Sequence, residues 1–235
     1  MDALTRITAE PGRAALFLDV DGVLAPIVPR PEDSSVPPAT RDELERLADR
    51  YGLVACVTGR TSETARAIVG VDRLRYVGQH GLELDPDAES WAGRVHAFGR
   101  ARPWPWQEGK PLTVAFHYRL APDEAAAHAQ LEDVARSALA EGLAVRWGRL
   151  VLEVLPPVEA TKGTAVRALL AESGLRRALY AGDDVTDLDG FAALDGLDAA
   201  VRVAVVSSEG PSELRERADI VVASTDEVLE LLQQL

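Results

Sequence analysis

The sequence predicts an α/β fold, a doubly wound parallel sheet interrupted by a smaller inserted α/β unit with an antiparallel sheet and helices. Three observations predict it. Short apolar runs, too short for helices and rich in Val, Ile and Leu, alternate with amphipathic segments. Two of these runs end in acidic clusters, Asp19-Val20-Asp21-Gly22 and Gly182-Asp183-Asp184-Val185-Thr186-Asp187. Between about residues 83 and 157 the texture changes to strands flanking an Ala-rich helix, and all four tryptophans fall there.

Along the chain, runs near 14–20, 53–58, 74–78, 177–181, 201–206 and 219–223 read as buried strands. Thr40-Arg41-Asp42-Glu43 is the pattern of a capping box ahead of Leu44, Leu47 and Tyr51, with Gly52 as a stop. Thr58 ends the second run, ahead of a helix that holds Ala65, Ile68 and Val69, and could cap that helix. In the insert, 112–118 and 150–155 read as strands, 144–149 as a hairpin into the second, and Pro122 to Gly142 as the connecting helix. Lys162 and Gly163 open a helix over 164–171, and Ser224-Thr225-Asp226-Glu227 repeats the capping-box pattern near the C-terminus. Strand–helix alternation implies parallel pairing with right-handed crossovers. The expected division is a core of 1–82 and 158–235 with an insert of 83–157.

Composition narrows the function classes. The chain has 235 residues, 47% hydrophobic and 27% charged, enough for one substantial core and a smaller insert. A net charge of −13 argues against nucleic acid or an anionic membrane surface as partner. Cys56 lies in the apolar run Leu53-Val54-Ala55-Cys56-Val57 and reads as a core thiol. The N-terminal residues lack the apolar segment of a signal peptide, and no apolar stretch reaches ~18 residues. The expectation is a cytoplasmic protein, more simply a monomer, acting on a small molecule.

Carboxylates at the carboxyl ends of parallel strands converge on the crevice where open α/β sheets bind ligands, and they repel one another unless a cation sits among them. That arrangement asks for a hard metal, expected to be Mg²⁺. The expected metal group is Asp19, Asp21 through its backbone carbonyl, and Asp183, with Asp184 and Asp187 holding metal-bound water or orienting Lys162. With Thr58 and Lys162 the set is what phosphoryl transfer to an aspartate requires. Each piece has a plainer reading alone: Asp-x-Asp pairs cap helices, and a lone lysine is usually a solvated surface charge.

Asp19/Asp21, Thr58, Lys162 and Asp183/Asp184 match, in order, the four motifs of the haloacid-dehalogenase-like phosphohydrolases. Within them, Asp21 to Val28, Gly78-Gln79-His80-Gly81-Leu82-Glu83, His117-Tyr118-Arg119 and Gly182 to Asp187 resemble the trehalose-6-phosphate phosphatase family over nearly the whole chain. Val23, Thr58 and Leu188 stand where that family usually has Thr, Ser and an acidic residue. The resemblance implies Mg-dependent hydrolysis of trehalose 6-phosphate through an aspartyl phosphate, with Asp19 as nucleophile and Asp21 as general acid and base. Thr58, Gly59 and Arg60 would meet the phosphate, and Lys162 would offset charge on Asp19 and phosphate. The insert would be a cap, and His80, Glu83, His117, Arg119 and Glu153 would read the sugar. Alternation along its strand also allows Glu153 to be a surface residue, His80 suits a turn, and Trp104 and Trp106 suit core packing better than sugar stacking. A phosphatase for another sugar phosphate, such as sucrose 6-phosphate or mannosyl-3-phosphoglycerate, a phosphosugar mutase, and a catalytically dead binder remain open alternatives.

Overall fold

A computed structural model of the chain describes residues 2–148, 150–206 and 210–235. Two compact units emerge: Met1–Gly81 with Ala160–Leu235, and Leu82–Glu159.

In the first unit, each of the six apolar runs forms a strand: β1 Ala15–Leu18, β2 Leu53–Val57, β3 Arg75–Val77, β8 Arg177–Gly182, β9 Ala199–Val205 and β10 Ile220–Val222. They make one parallel sheet in the order β10-β9-β8-β1-β2-β3. The helices of this unit are α1 Ala3–Ala9, α2 Pro38–Arg50, α3 Ser62–Val69, α6 Lys162–Ser173, α7 Asp187–Ala192, α8 Ser212–Arg217 and α9 Thr225–Gln233. Alternation along β1 shows why the runs are continuously apolar. Leu16 and Leu18 enter a core with Leu44, Leu47 and Val228, whereas Ala15 and Phe17 enter the opposite core with Val166, Leu169 and Phe191. A strand buried on both faces has no position for a polar side chain until it ends. Chain order proceeds from β1 toward β2 and β3 on one side and resumes at β8 on the other, so β1 and β8 flank the topological switch point.

The inserted unit holds α4 Ala88–Arg100, β4 Gln107–Gly109, β5 Val114–His117, α5 Glu124–Ala140, β6 Ala144–Gly148 and β7 Val151–Leu155. Its sheet is antiparallel, in the order β4-β5-β7-β6. Val114 and Phe116 of β5 and Leu152 and Val154 of β7 pack with Leu131 of α5 and Val95 and Phe98 of α4. Side chains at the intervening positions belong to the other face of the sheet. The hairpin expected through 144–149 is present as β6 and β7, with Arg149 outside the described residues.

Some boundaries differ from expectation. α2 begins at Pro38 instead of after Thr40, because proline at the first helical position is preset for the turn; Thr40 is buried inside the helix. Thr61, not Thr58, caps α3, its side chain accepting from the Thr64 amide. α1, α4 and β4 were not expected.

Candidate active site

Because Leu18 pairs with both Cys56 and Ala181, the residues that follow β1 and β8 leave the sheet side by side. Asp19 still donates its amide to Ala181 O at 3.0 Å, which places it and Asp183 at one edge. Both are buried, 6% and 5% exposed. Gly22, at φ 82°, makes this approach possible: a Cβ there would overlap the Asp183 carboxylate.

Lys162, 2% exposed, enters the same site from the first position of α6. Thr161 caps that helix, its side chain accepting from the Thr164 amide while the Thr164 hydroxyl accepts from the Thr161 amide. Lys162 Nζ lies 2.8 Å from Asp19 Oδ2 and 2.7 Å from Asp187 Oδ1. Asp187 accepts four hydrogen bonds. Lys162 and the Tyr180 hydroxyl, each at 2.7 Å, share Oδ1, while the amides of Asp183 and Asp184 reach Oδ2 at 3.0 and 2.9 Å. Asp187 thereby joins the acidic turn to the lysine.

Burial pushes the Asp19 carboxyl up to about 7, against the pull of Lys162 and with the repulsion of Asp187 and Asp21. Burial also opposes the charge on Lys162, but Asp187 and Asp19 outweigh it and raise the lysine above its ordinary range. Lys162 therefore stays a cation, and the charge on Asp19 is costly.

Potential ligand atoms of Asp19, Asp183 and Asp187 lie within 4.8 Å of one another, all on buried residues. Three buried carboxylates against one lysine form a donor set that fits a divalent cation, which would favour the charged form of Asp19. Asp187 is committed to four donors, the lysine, the tyrosine hydroxyl and two amides of the acidic turn. The side chains of Asp21 and Asp184 fall outside this group. Asp184 Oδ1 accepts from the Val185 amide at 2.7 Å, and the Asp21 carboxylate bonds Arg60 and Ser34.

Thr58 is buried at the end of β2, its amide bonded to Val77 O and its Oγ1 accepting from the Arg60 amide at 3.2 Å. The neighbouring loop carries Gln79 and His80 in the left-handed region, at φ 48° and 55°. This costly backbone is tied down where the Gln79 amide donates to Arg60 O and the His80 amide to Thr58 O, at 2.7 and 2.8 Å. The His80 ring lies against Gly59, where a Cβ would overlap it.

In the inserted unit, Glu153 is 4% exposed, so the surface reading fails. Lys110 Nζ and Thr113 Oγ1 donate to its Oε1 at 3.2 and 2.8 Å, and Arg146, opposite it in register on β6, lies 3.4 Å from Oε2. Burial alone would raise the Glu153 carboxyl, but Lys110 and Arg146 outweigh it and hold it below the usual range. His117 Nε2 lies 2.9 Å from Glu108 Oε2. Arg119 and Glu83 are half-buried beyond β5 and before α4. Trp104 packs against the unit's core, meets Trp106 edge-on at 6.3 Å between centroids, and donates from Nε1 to His117 O at 2.6 Å.

Sequence reasoning missed Ser34, Tyr180, Glu108, Lys110 and Arg146. For Arg146 a signal existed: alternation in Ala144-Val145-Arg146-Trp147 puts it on the face opposite Val145 and Trp147, where Glu153 also lies. Ser34 sits in an irregular loop with no pattern to mark it.

A parallel sheet with acids at its β1/β8 switch point, a buried lysine, and an inserted antiparallel unit are the architecture of the haloacid-dehalogenase-like fold. Residues 17–98 and 106–234 match the family described as trehalose-phosphatase, and the chain belongs to that family. A probable trehalose-phosphate phosphatase of Sinorhizobium fredii is 33% identical over 231 residues, covering 88% of this chain and 85% of that one. A much longer Mycobacterium tuberculosis protein described as an uncharacterized glycosyl hydrolase is 36% identical over 206 residues, 77% of this chain and 15% of that one. A crystal structure of a trehalose-6-phosphate phosphatase related protein superposes with TM-score 0.73 at 26% identity, covering 94% of this chain and 96% of that one.

Proposed function

We propose that this enzyme hydrolyses trehalose 6-phosphate to trehalose and phosphate through an aspartyl phosphate on Asp19, with Mg²⁺ as its cation. The observation that carries the chemistry is the buried contact of Lys162 with both Asp19 and Asp187 beside Asp183, in a member of the trehalose-phosphatase family.

Phosphate monoesters hydrolyse extremely slowly without catalysis, and covalent participation divides the barrier into two smaller ones. Asp19 attacks phosphorus; its oxygen–phosphorus bond forms as the bond from phosphorus to the sugar oxygen breaks, and Asp21 gives that oxygen a proton. Water then attacks the phosphoryl group while Asp21 takes a proton from it, the Asp19–phosphorus bond breaks, and phosphate departs. Lys162 balances charge on Asp19 and on the phosphoryl oxygens, and Thr58 with the amide of Gly59 donates to those oxygens. Asp19 and Asp183 would hold the Mg²⁺, which would supply countercharge to the phosphate.

Recognition of the sugar falls to the inserted unit. Its buried Glu153, with Lys110 and Arg146, and the His117–Glu108 pair offer the fixed donors and acceptors that read hydroxyls. Arg119 and Glu83 extend the set, while His80 belongs to the core unit. The substrate is a small sugar phosphate, and the proposed setting is a cytoplasmic monomer. Among the described residues no helix is long and apolar enough to cross a membrane.

The test is phosphate release from trehalose 6-phosphate, sucrose 6-phosphate and hexose phosphates with Mg²⁺, by the wild type and by Asp19→Asn. Trehalose 6-phosphate should be the preferred substrate. Asp19→Asn should abolish turnover without unfolding the chain, because the near-isosteric amide cannot attack phosphorus. Preference for another sugar would reject the substrate, and easily measured turnover by Asp19→Asn, with deamidation excluded, would reject the nucleophile.

A further inference from the structure

Asp21 is held more tightly than a loop carboxylate needs to be. Arg60 grips it side-on, Nε to Oδ2 at 2.6 Å and Nη2 to Oδ1 at 2.8 Å, and the Ser34 hydroxyl donates to Oδ1 at 3.0 Å. The remaining guanidinium nitrogen, Nη1, donates to Pro31 O at 3.0 Å and so ties down the loop that carries Ser34. The arginine's own backbone is fixed as well, its amide on Thr58 Oγ1 and its carbonyl accepting from Gln79. Arg60 is 16% exposed at its side chain, and Ser34 is buried. A bidentate guanidinium fixes the plane of a carboxylate, which a lysine ammonium cannot do.

We infer that Arg60 and Ser34 are positioning residues that clamp Asp21 and set how well it serves a basic leaving oxygen: Oδ1 accepts from two donors and Oδ2 from one, so Oδ2 is the atom that carries and gives the proton, against the preference of the guanidinium for the charged form. The clamp joins three separate segments, the loop after β1, the loop around Pro31 to Ser34 and the turn after β2, so the orientation of Asp21 is fixed by the core unit itself. It gives Arg60 a task other than the phosphate contact its position suggested. The inference rests on the reading of Asp21 as proton donor, which the experiment tests separately.

The experiment is first-turnover release of the alcohol from p-nitrophenyl phosphate and phenyl phosphate at fixed Mg²⁺, for the wild type, Asp21→Asn, Arg60→Lys and Ser34→Ala. Nitrophenolate leaves without a proton, whereas phenolate is more basic and gains from one. Arg60→Lys should lose about tenfold or more on phenyl phosphate, a part of the roughly 10²–10⁴-fold that a general acid contributes, and less than about threefold on p-nitrophenyl phosphate, with KM little changed. Ser34→Ala should show the same contrast on a smaller scale, and it carries the test should Arg60→Lys prove too unstable to assay. A strong contrast in Asp21→Asn with none in Arg60→Lys or Ser34→Ala overturns the clamp alone. No contrast in Asp21→Asn overturns the proton-donor reading and the clamp with it. A rise in KM on both substrates at unchanged rate constant overturns the clamp in favour of substrate binding by Arg60.

Discussion

Glu153 ties the inserted unit's stability to pH. Lys110 and Arg146 hold its carboxyl below the ordinary value of 4.5 despite burial. A carboxyl with a depressed folded-state pKa stabilises the fold above its unfolded pKa, and that contribution is lost as pH falls through the folded value, because the unfolded chain takes up the proton first. Glu153→Gln keeps the shape but leaves Lys110 and Arg146 without their countercharge, so at neutral pH it should cost about 3 kcal/mol, the scale of breaking a buried pair. The difference between wild type and variant should shrink as pH drops below about 4.5. Thermal unfolding of both proteins between pH 3 and 7 checks this; parallel curves would show that Glu153 does not titrate with folding. The sequence marked Glu153 because it interrupts an apolar strand, but not its burial, which depends on partners from β6 and from the segment between β4 and β5.

At the scale of elements, the start of α6 is tied to chemistry. Lys162 is its first residue, and the Thr161–Thr164 capping box fixes that turn. Thr161→Ala should cost about 1 kcal/mol of stability in a denaturant titration and also lower kcat, because the turn that aims Nζ at Asp19 loosens; Thr161→Ser should restore both. A stability loss with unchanged kcat would show that the cap does not position the lysine. Elements such as the core strands were legible because a strand buried on both faces, like Ala15–Leu18, must be apolar throughout. β4, three residues of Gln107-Glu108-Gly109, has no such pattern, and α4 carries Gly93 and Gly99, which weaken its helical signal. The acids of the site were legible as types at strand ends. That β1 lies next to β8, bringing Asp19 beside Asp183, is a property of sheet order and cannot be read from local pattern.

For the whole molecule, the quantity that matters is charge. The chain carries −13 overall and concentrates Asp19, Asp183 and Asp187 against Lys162 in its interior, so the folded state bears a repulsion that the unfolded chain escapes. A cation that binds the folded chain and not the unfolded one stabilises it by mass action, about 2.7 kcal/mol at a hundredfold excess over Kd. For a domain of this size each kcal/mol moves Tm by roughly 2–4 °C, so saturating Mg²⁺ should raise Tm by roughly 5–10 °C. Screening of surface charge would also raise Tm, but NaCl at equal ionic strength would do so equally well. Saturating Mg²⁺ should therefore exceed the NaCl control in the wild type, and Asp183→Asn should remove the excess while keeping the response to NaCl. Equal shifts from both salts in the wild type would mean that the buried acids do not hold the metal and that only the surface charge is being screened.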